Sequence, residues 1–204
     1  MSGRFVTFEG IDGAGKSTHI GWYLEQLRTR GIDVVQTREP GGSALAESLR
    51  NLLLHSEMPI DAELLLMFAA RRDHLERLIR PALADGRWVV CDRFTDSTYA
   101  YQGAGRGAPV DRIAWLEDWV HGDLQPDRTY LFDLDPVLAA RRRAAARAPD
   151  RFESEDAAFF ARVRGGYRDR AQADPSRFVV LDGEQPITDI RAILEKDIAR
   201  LCKT

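Results

Sequence analysis

The chain has 204 residues, 44% of them hydrophobic, so one domain can bury a substantial core without disulfides or metal clips. Its 29 basic and 32 acidic side chains leave a formal charge of -3, which gives no global attraction for nucleic acid or an anionic membrane. Cys91 and Cys202 are too few for a disulfide framework, and no apolar run approaches the roughly 18 residues of a membrane span. The expectation is a single cytoplasmic domain over residues 1–204 that engages neither nucleic acid nor membrane. The histidines at 19, 55, 74 and 121 show no paired metal-ligand spacing and are expected at solvated or helix-surface positions.

In chain order, short apolar runs predict strands over residues 5–9, 34–37, 88–91, 129–132 and 178–181. Longer amphipathic stretches predict helices over 16–30, 43–55, 61–84, 110–121, 136–147, 155–173 and 187–201. Strands this short and apolar, alternating with helices, form a mostly parallel sheet covered on both faces, an α/β domain. Pro81 lacks the amide needed inside a helix and predicts a kink or break in the long third helix. Residues 103–109 and 146–155 carry glycine, proline and charge in place of apolar periodicity and are predicted as mobile loops.

The first strand runs into Gly10-Ile11-Asp12-Gly13-Ala14-Gly15-Lys16-Ser17, then Thr18 and an amphipathic stretch. This is the strand, loop and helix context that the pattern G-x-x-x-x-G-K-[ST] requires of a triphosphate-binding loop. Gly10, Gly13 and Gly15 let the backbone curve tightly and turn its N–H groups inward, while the helix behind them directs its positive end at a β-phosphate. Lys16 supplies a mobile cation to the β and γ oxygens, and Ser17 a hydroxyl to magnesium. Motors, GTP switches, helicases and small-molecule kinases all use such a loop. The later strands are followed by no N-K-x-D segment, which counts against a GTPase.

Further residues carry chemistry only in combination. Asp92-Arg93 follows the third strand, and ligands gather at the carboxyl ends of parallel strands; Asp92 can reach a metal or its waters and Arg93 a phosphate. Phe68 and Arg72 lie four apart on one helical face, an aromatic ring to cover a flat base and a guanidinium to donate to its edge. The same spacing equally describes a buried stripe of Leu64, Leu65, Phe68 and Leu75 with Arg72 at its margin. Thr98 and Gln102, again four apart, offer a hydroxyl and an amide. Arg147 and Arg151 flank Ala148-Pro149-Asp150, where a cation could reach a migrating phosphoryl group after the substrates bind; a solvated basic loop has the same composition.

The stretches Phe8-Glu9-Gly10 through Thr18, Thr37-Arg38-Glu39-Pro40-Gly41-Gly42 and Leu66-Met67-Phe68-Ala69-Ala70-Arg71-Arg72 are followed by Asp92-Arg93-Phe94, Ser97 through Gly103 and Asp150-Arg151-Phe152-Glu153. In this order and spacing the chain resembles the bacterial thymidylate kinases along almost its whole length. The resemblance implies a P-loop nucleoside monophosphate kinase fold, a five-stranded parallel sheet flanked by helices, with a mobile lid at about residues 143–155. It implies a homodimer that transfers the γ-phosphate of ATP to thymidine 5′-monophosphate with Mg2+ present. A monophosphate kinase selecting another base is the nearest alternative, and a nucleotide-dependent switch a more distant one.

By the same resemblance, Asp12 contacts the deoxyribose 3′-hydroxyl and Arg93 holds the acceptor phosphate. Phe68 stacks on thymine, with Arg72 and Gln102 on its polar edge and Thr98 nearby. Arg38, Glu39 and Pro40 shape the monophosphate and metal region, Ser17, Asp92 and Glu39 form the metal group, and Arg142 lies against adenine. Some members of the family keep a catalytic arginine inside the triphosphate loop, but here Ile11, Asp12, Gly13 and Ala14 include no basic residue. The resemblance therefore assigns that role to the lid, to Arg151 first and Arg147 second, acting with Lys16 and Arg93.

Overall fold

The computed structural model describes residues 3–144, 152 and 155–203. Five strands, β1 (Phe5–Glu9), β2 (Val34–Arg38), β3 (Trp88–Asp92), β4 (Arg128–Asp133) and β5 (Phe178–Asp182), pair in parallel in the order β2-β3-β1-β4-β5. The helices are α1 (Lys16–Thr29), α2 (Ala44–His55), α3 (Ile60–His74), α4 (Arg80–Ala84), α5 (Thr95–Thr98), α6 (Val110–His121), α7 (Pro136–Ala144), α8 (Ala157–Ala173) and α9 (Ile187–Leu201). All five residues of β1 are buried, because the strand is paired on both edges and covered on both faces. Alternate residues of β1 and β3 feed two apolar clusters: Val6, Phe8 and Val90 on one side, Phe5, Val89 and Cys91 on the other. The buried Thr7 hydroxyl is satisfied across the β1–β4 pair by Thr129 at 2.8 Å.

The helix predicted over 61–84 does not break at Pro81. Its hydrogen bonding widens into a π-helical segment, Leu75–Ile79, and α4 then begins with Pro81 in its first turn, where a missing N–H is unneeded. Residues 103–109 are not a free loop throughout. A π-helical segment, Tyr99–Gly105, continues α5 and packs on α8. A Cβ on Gly105 would sit 2.7 Å from Phe159, and one on Gly166 of α8 would sit 2.7 Å from Ala104, so these glycines permit close approach of helices.

The histidines also depart from expectation. His55 is exposed, but His19, His74 and His121 are buried. Burial, with Arg191 adding to it at His19 and Arg71 at His121, pushes both imidazoles down to about 4. Among the described residues no helix is long and apolar enough to cross a membrane.

Candidate active site

The carboxyl end of β1 opens into the glycine loop, and α1 starts at Lys16. Gly10, Gly13 and Gly15 have φ of 132°, 88° and 102°, values that a side chain would make unfavourable. At Gly10 a Cβ would also lie 2.5 Å from the carbonyl oxygen of Phe132 in β4. No side chain caps the start of α1, so its first turn presents amides and a positive dipole end to an anion. Lys16 Nζ donates to the carbonyls of Gly10 at 2.8 Å and Ile11 at 3.3 Å. Burial, then Arg93, lower its pKa against the pull of Asp12, Asp92 and Glu9.

Two cavities meet over this loop. One is lined by Gly13, Ala14, Gly15, Lys16, Thr18 and Arg142; the other by Arg38, Pro40, Met67, Arg71, Arg93, Thr98 and Gln102. Asp12, Ser17 and Asp92 line both and mark the junction where a group could pass between them. The Oδ1 of Asp92 is buried without a hydrogen-bond partner among the described residues. With Ser17 lining the same junction, that orphaned oxygen fits Mg2+, which is bound through few protein oxygens together with phosphates and water. Among the described residues no group of three or more His, Cys, Asp or Glu could form an all-protein metal cage.

In the second cavity Arg93 is the sole non-glycine residue with positive φ, 69°, among the described residues. Its N–H donates to Phe8 O at 2.9 Å, and its carbonyl accepts from Cys91 Sγ at 3.0 Å. The guanidinium is spread over four partners: Nη1 donates to Ser97 Oγ and Tyr167 OH, and Nη2 to Asp12 Oδ1 and Tyr101 OH. Tyr101 also donates to Asp12 Oδ2 at 3.3 Å. The cavity thus has a fixed cation beside the junction.

Farther from the junction lies a polar edge. Arg71 is only 3% exposed; its Nε donates to Glu39 Oε2 at 2.7 Å and its Nη2 to Thr98 Oγ1 at 3.0 Å. Its Nη1 is buried with no hydrogen-bond partner among the described residues. Gln102 Nε2 donates to the fully buried Glu63 at 2.8 Å, and Arg106 occupies the other Glu63 oxygen at 2.9 Å. A carboxylate can only accept, so Glu63 fixes which end of the Gln102 amide is nitrogen. The amide oxygen is the acceptor that Gln102 offers to the cavity. Arg71 and Gln102 both line this cavity.

The Thymidylate kinase family matches this chain over residues 8–193. The chain belongs to the thymidylate kinase family. Thymidylate kinase of Cupriavidus necator is 58% identical over 203 residues, covering 98% of this chain and 100% of the relative. That of Bordetella petrii is 57% identical over 201 residues, covering 98% and 97%. The crystal structure of thymidylate kinase from Ehrlichia chaffeensis superposes with a TM-score of 0.75 at 35% identity, covering 99% of both chains.

Several expected site residues need correction. Arg72 is exposed and turned away, donating to Val120 O at 3.0 Å and pairing with Glu76 at 3.1 Å. Phe68 is buried in the apolar cluster between the sheet, α3 and α6, where its ring lies 4.8 Å beneath the Arg71 guanidinium. The cavity is lined instead by Met67 and Arg71, one position earlier for each. Glu39 is not a free metal ligand: its second oxygen accepts from His74 at 3.0 Å, and Arg71 with His74 holds its carboxyl below the usual range despite burial. Ile11 contributes its carbonyl to Lys16, while its side chain lies in the core.

The other expected residues fall into two groups, those that line the cavities and those outside the described residues. Asp12, Ser17, Pro40, Asp92, Arg93, Thr98 and Gln102 line the cavities, as does Arg38, which is exposed and paired with Glu47 at 2.9 Å. Arg142 lines the loop cavity and donates to Gly183 O at 3.0 Å. Arg147, Arg151 and most of the expected lid lie outside the described residues. Sequence reasoning did not single out Arg50, which lines the second cavity from α2 and donates to the Pro40 carbonyl at 2.8 Å. The run Leu64, Phe68, Arg71 and Leu75, spaced four, three and four, is the signal that could have preferred Arg71 to Arg72.

Proposed function

We propose that the protein reads the thymine edge of its acceptor through Arg71 and Gln102 and holds the acceptor phosphate with Arg93. The reaction moves the γ-phosphate of ATP to thymidine 5′-monophosphate, giving the diphosphate and ADP. The observation that carries this assignment is that Arg71, with an unpartnered donor, and Gln102, with an amide oriented by Glu63, line one cavity that meets the triphosphate loop. Thymine offers O4 as an acceptor and N3–H as a donor, the complement of that pair. Cytosine presents the opposite pattern and would bring donor against donor. Thr98 supports the edge through its bond to Arg71, and Asp12, which lines both cavities, is the proposed contact for the sugar hydroxyl.

The acceptor phosphate has a second pKa near 6, so it is largely dianionic near neutrality and needs no general base. Arg93 positions an acceptor oxygen for in-line attack on the γ-phosphorus, and Lys16 neutralises charge on the donor side. Mg2+, when bound at Ser17 and Asp92, supplies further neutralisation of the phosphate oxygens. Arg151 is the proposed lid cation, with Arg147 in reserve.

Leu65 on α3 and Trp115 and Trp119 on α6 are exposed, the two tryptophans by 63% and 67%, with ring centroids 5.3 Å apart. Exposed apolar side chains on the packed helices α3 and α6 support a homodimer. Free Cys91 and Cys202 suit a reducing cytoplasm. ADP release from ATP and Mg2+, measured with and without thymidine monophosphate, tests the function. Acceptor-dependent release is expected; turnover indifferent to the acceptor would favour a nucleotide switch.

A further inference from the structure

Glu9 ends β1 and its carboxylate is fully buried. One oxygen accepts the backbone N–H of Phe94 at 2.7 Å. That amide follows Arg93, whose left-handed backbone is unfavourable for a long side chain and persists only when its surroundings enforce it. One half of the carboxylate therefore holds the turn that aims Arg93.

The other half acts on the guanidinium. Glu9 Oε2 accepts from the Ser97 hydroxyl at 2.6 Å and the Tyr167 hydroxyl at 3.0 Å. The same two oxygens accept from Arg93 Nη1, at 3.1 Å and 2.8 Å. Arginine only donates and an ionised carboxylate only accepts, so with Glu9 ionised the direction of the chain is fixed. The hydroxyls also lie 2.7 Å from each other, and their hydrogens are shared between that gap and Glu9, never directed at Arg93. Burial, with Asp96 adding to it, pushes the Glu9 carboxyl up to about 7, against the opposing pull of Ser97, Arg93 and Phe94. A neutral residue would be easier to bury here, so stability alone does not account for a carboxylate.

We propose that Glu9 is a positioning residue for the acceptor phosphate, fixing through Ser97, Tyr167 and the Phe94 amide the direction in which Arg93 presents its guanidinium. The proposal rests on the reading that Arg93 holds that phosphate. Glutamine at this position has the same shape but the wrong polarity. Turned one way, its NH2 faces the Phe94 N–H; turned the other, it forces hydroxyl hydrogens towards Arg93.

The test is a set of steady-state measurements of KM for thymidine monophosphate and for ATP. Glu9→Gln is expected to raise the monophosphate KM about tenfold or more while leaving that for ATP within about twofold. Tyr167→Phe should raise it by a smaller factor, and should add little on top of Glu9→Gln because both interrupt one chain. Equal effects on both substrates, or factors that multiply in the double variant, would overturn the proposal. If Glu9→Gln does not fold, Ser97→Ala and Tyr167→Phe carry the same KM split, and its absence overturns it. Arg93→Lys separates the two levels. An unchanged monophosphate KM in that variant removes the reading of Arg93 itself; a raised KM there with none in Glu9→Gln removes only the role of Glu9.

Discussion

Adjacent arginines on α3 should differ sharply when removed. Arg71→Ala deletes a guanidinium that is 3% exposed and bonded to Glu39 and Thr98. One charged hydrogen bond to the base contributes about 1.5–3 kcal/mol, so kcat/KM for thymidine monophosphate should fall about 10- to 150-fold. The same change strands the buried Glu39 on His74 and should cost about 3–5 kcal/mol of stability. Removing both charges, as Arg71→Met with Glu39→Gln, should recover much of the stability but none of the binding. Arg72→Ala loses a hydrogen bond to Val120 O and an exposed pair with Glu76, under about 1 kcal/mol, and should leave kcat/KM unchanged. The assay is steady-state phosphorylation at saturating ATP, beside urea unfolding of each variant. An Arg72→Ala loss as large as that of Arg71→Ala would refute the placement of the base edge.

Arg151→Ala should depress kcat with little change in ATP affinity; unchanged turnover would transfer the role to Arg147 or remove it from the lid. Trp119→Glu with Trp115→Glu should yield a monomer by sedimentation, and an unaltered mass would exclude that face as the dimer contact. Stability should fall towards acid. Unfolded His19 and His121 protonate near 6.5 but remain neutral in the fold to about 4, so the stability they contribute is present above 6.5 and lost as the pH drops. Glu9 opposes them, being protonated up to about 7 in the fold and only below 4.5 when unfolded, so its contribution is lost as the pH rises. Near pH 5.5 the net is about one proton taken up on unfolding, a slope of about 1.4 kcal/mol per pH unit. Glu9→Gln should steepen it to about two protons; a flat dependence in both proteins would contradict these burial effects.

The sheet was legible because each strand is an apolar run with both faces covered, and the glycine loop because its spacing carries its own structural requirement. What escaped depended on partners distant in sequence. Tyr167 reaches Glu9 across 158 residues, and His74 meets Thr37 across 37, so neither burial showed in local periodicity. Gly103 and Gly105 looked like turn residues because composition does not distinguish freedom from close packing; Ile113 and Phe159 supply that distinction. On α3 two adjacent arginines satisfied the same motif, and only the phase set by Leu64, Phe68 and Leu75 separates the buried one from the exposed one.

The most direct test of the account is the ratio of kcat/KM for thymidine monophosphate to that for deoxycytidine monophosphate, with ATP and Mg2+ saturating. Arg71 as donor and Gln102 as acceptor predict a preference for thymidine of about a hundredfold or more, from about 3 kcal/mol of mismatched hydrogen bonding. Equal use of the two pyrimidines, or phosphorylation of a purine monophosphate alone, would contradict it.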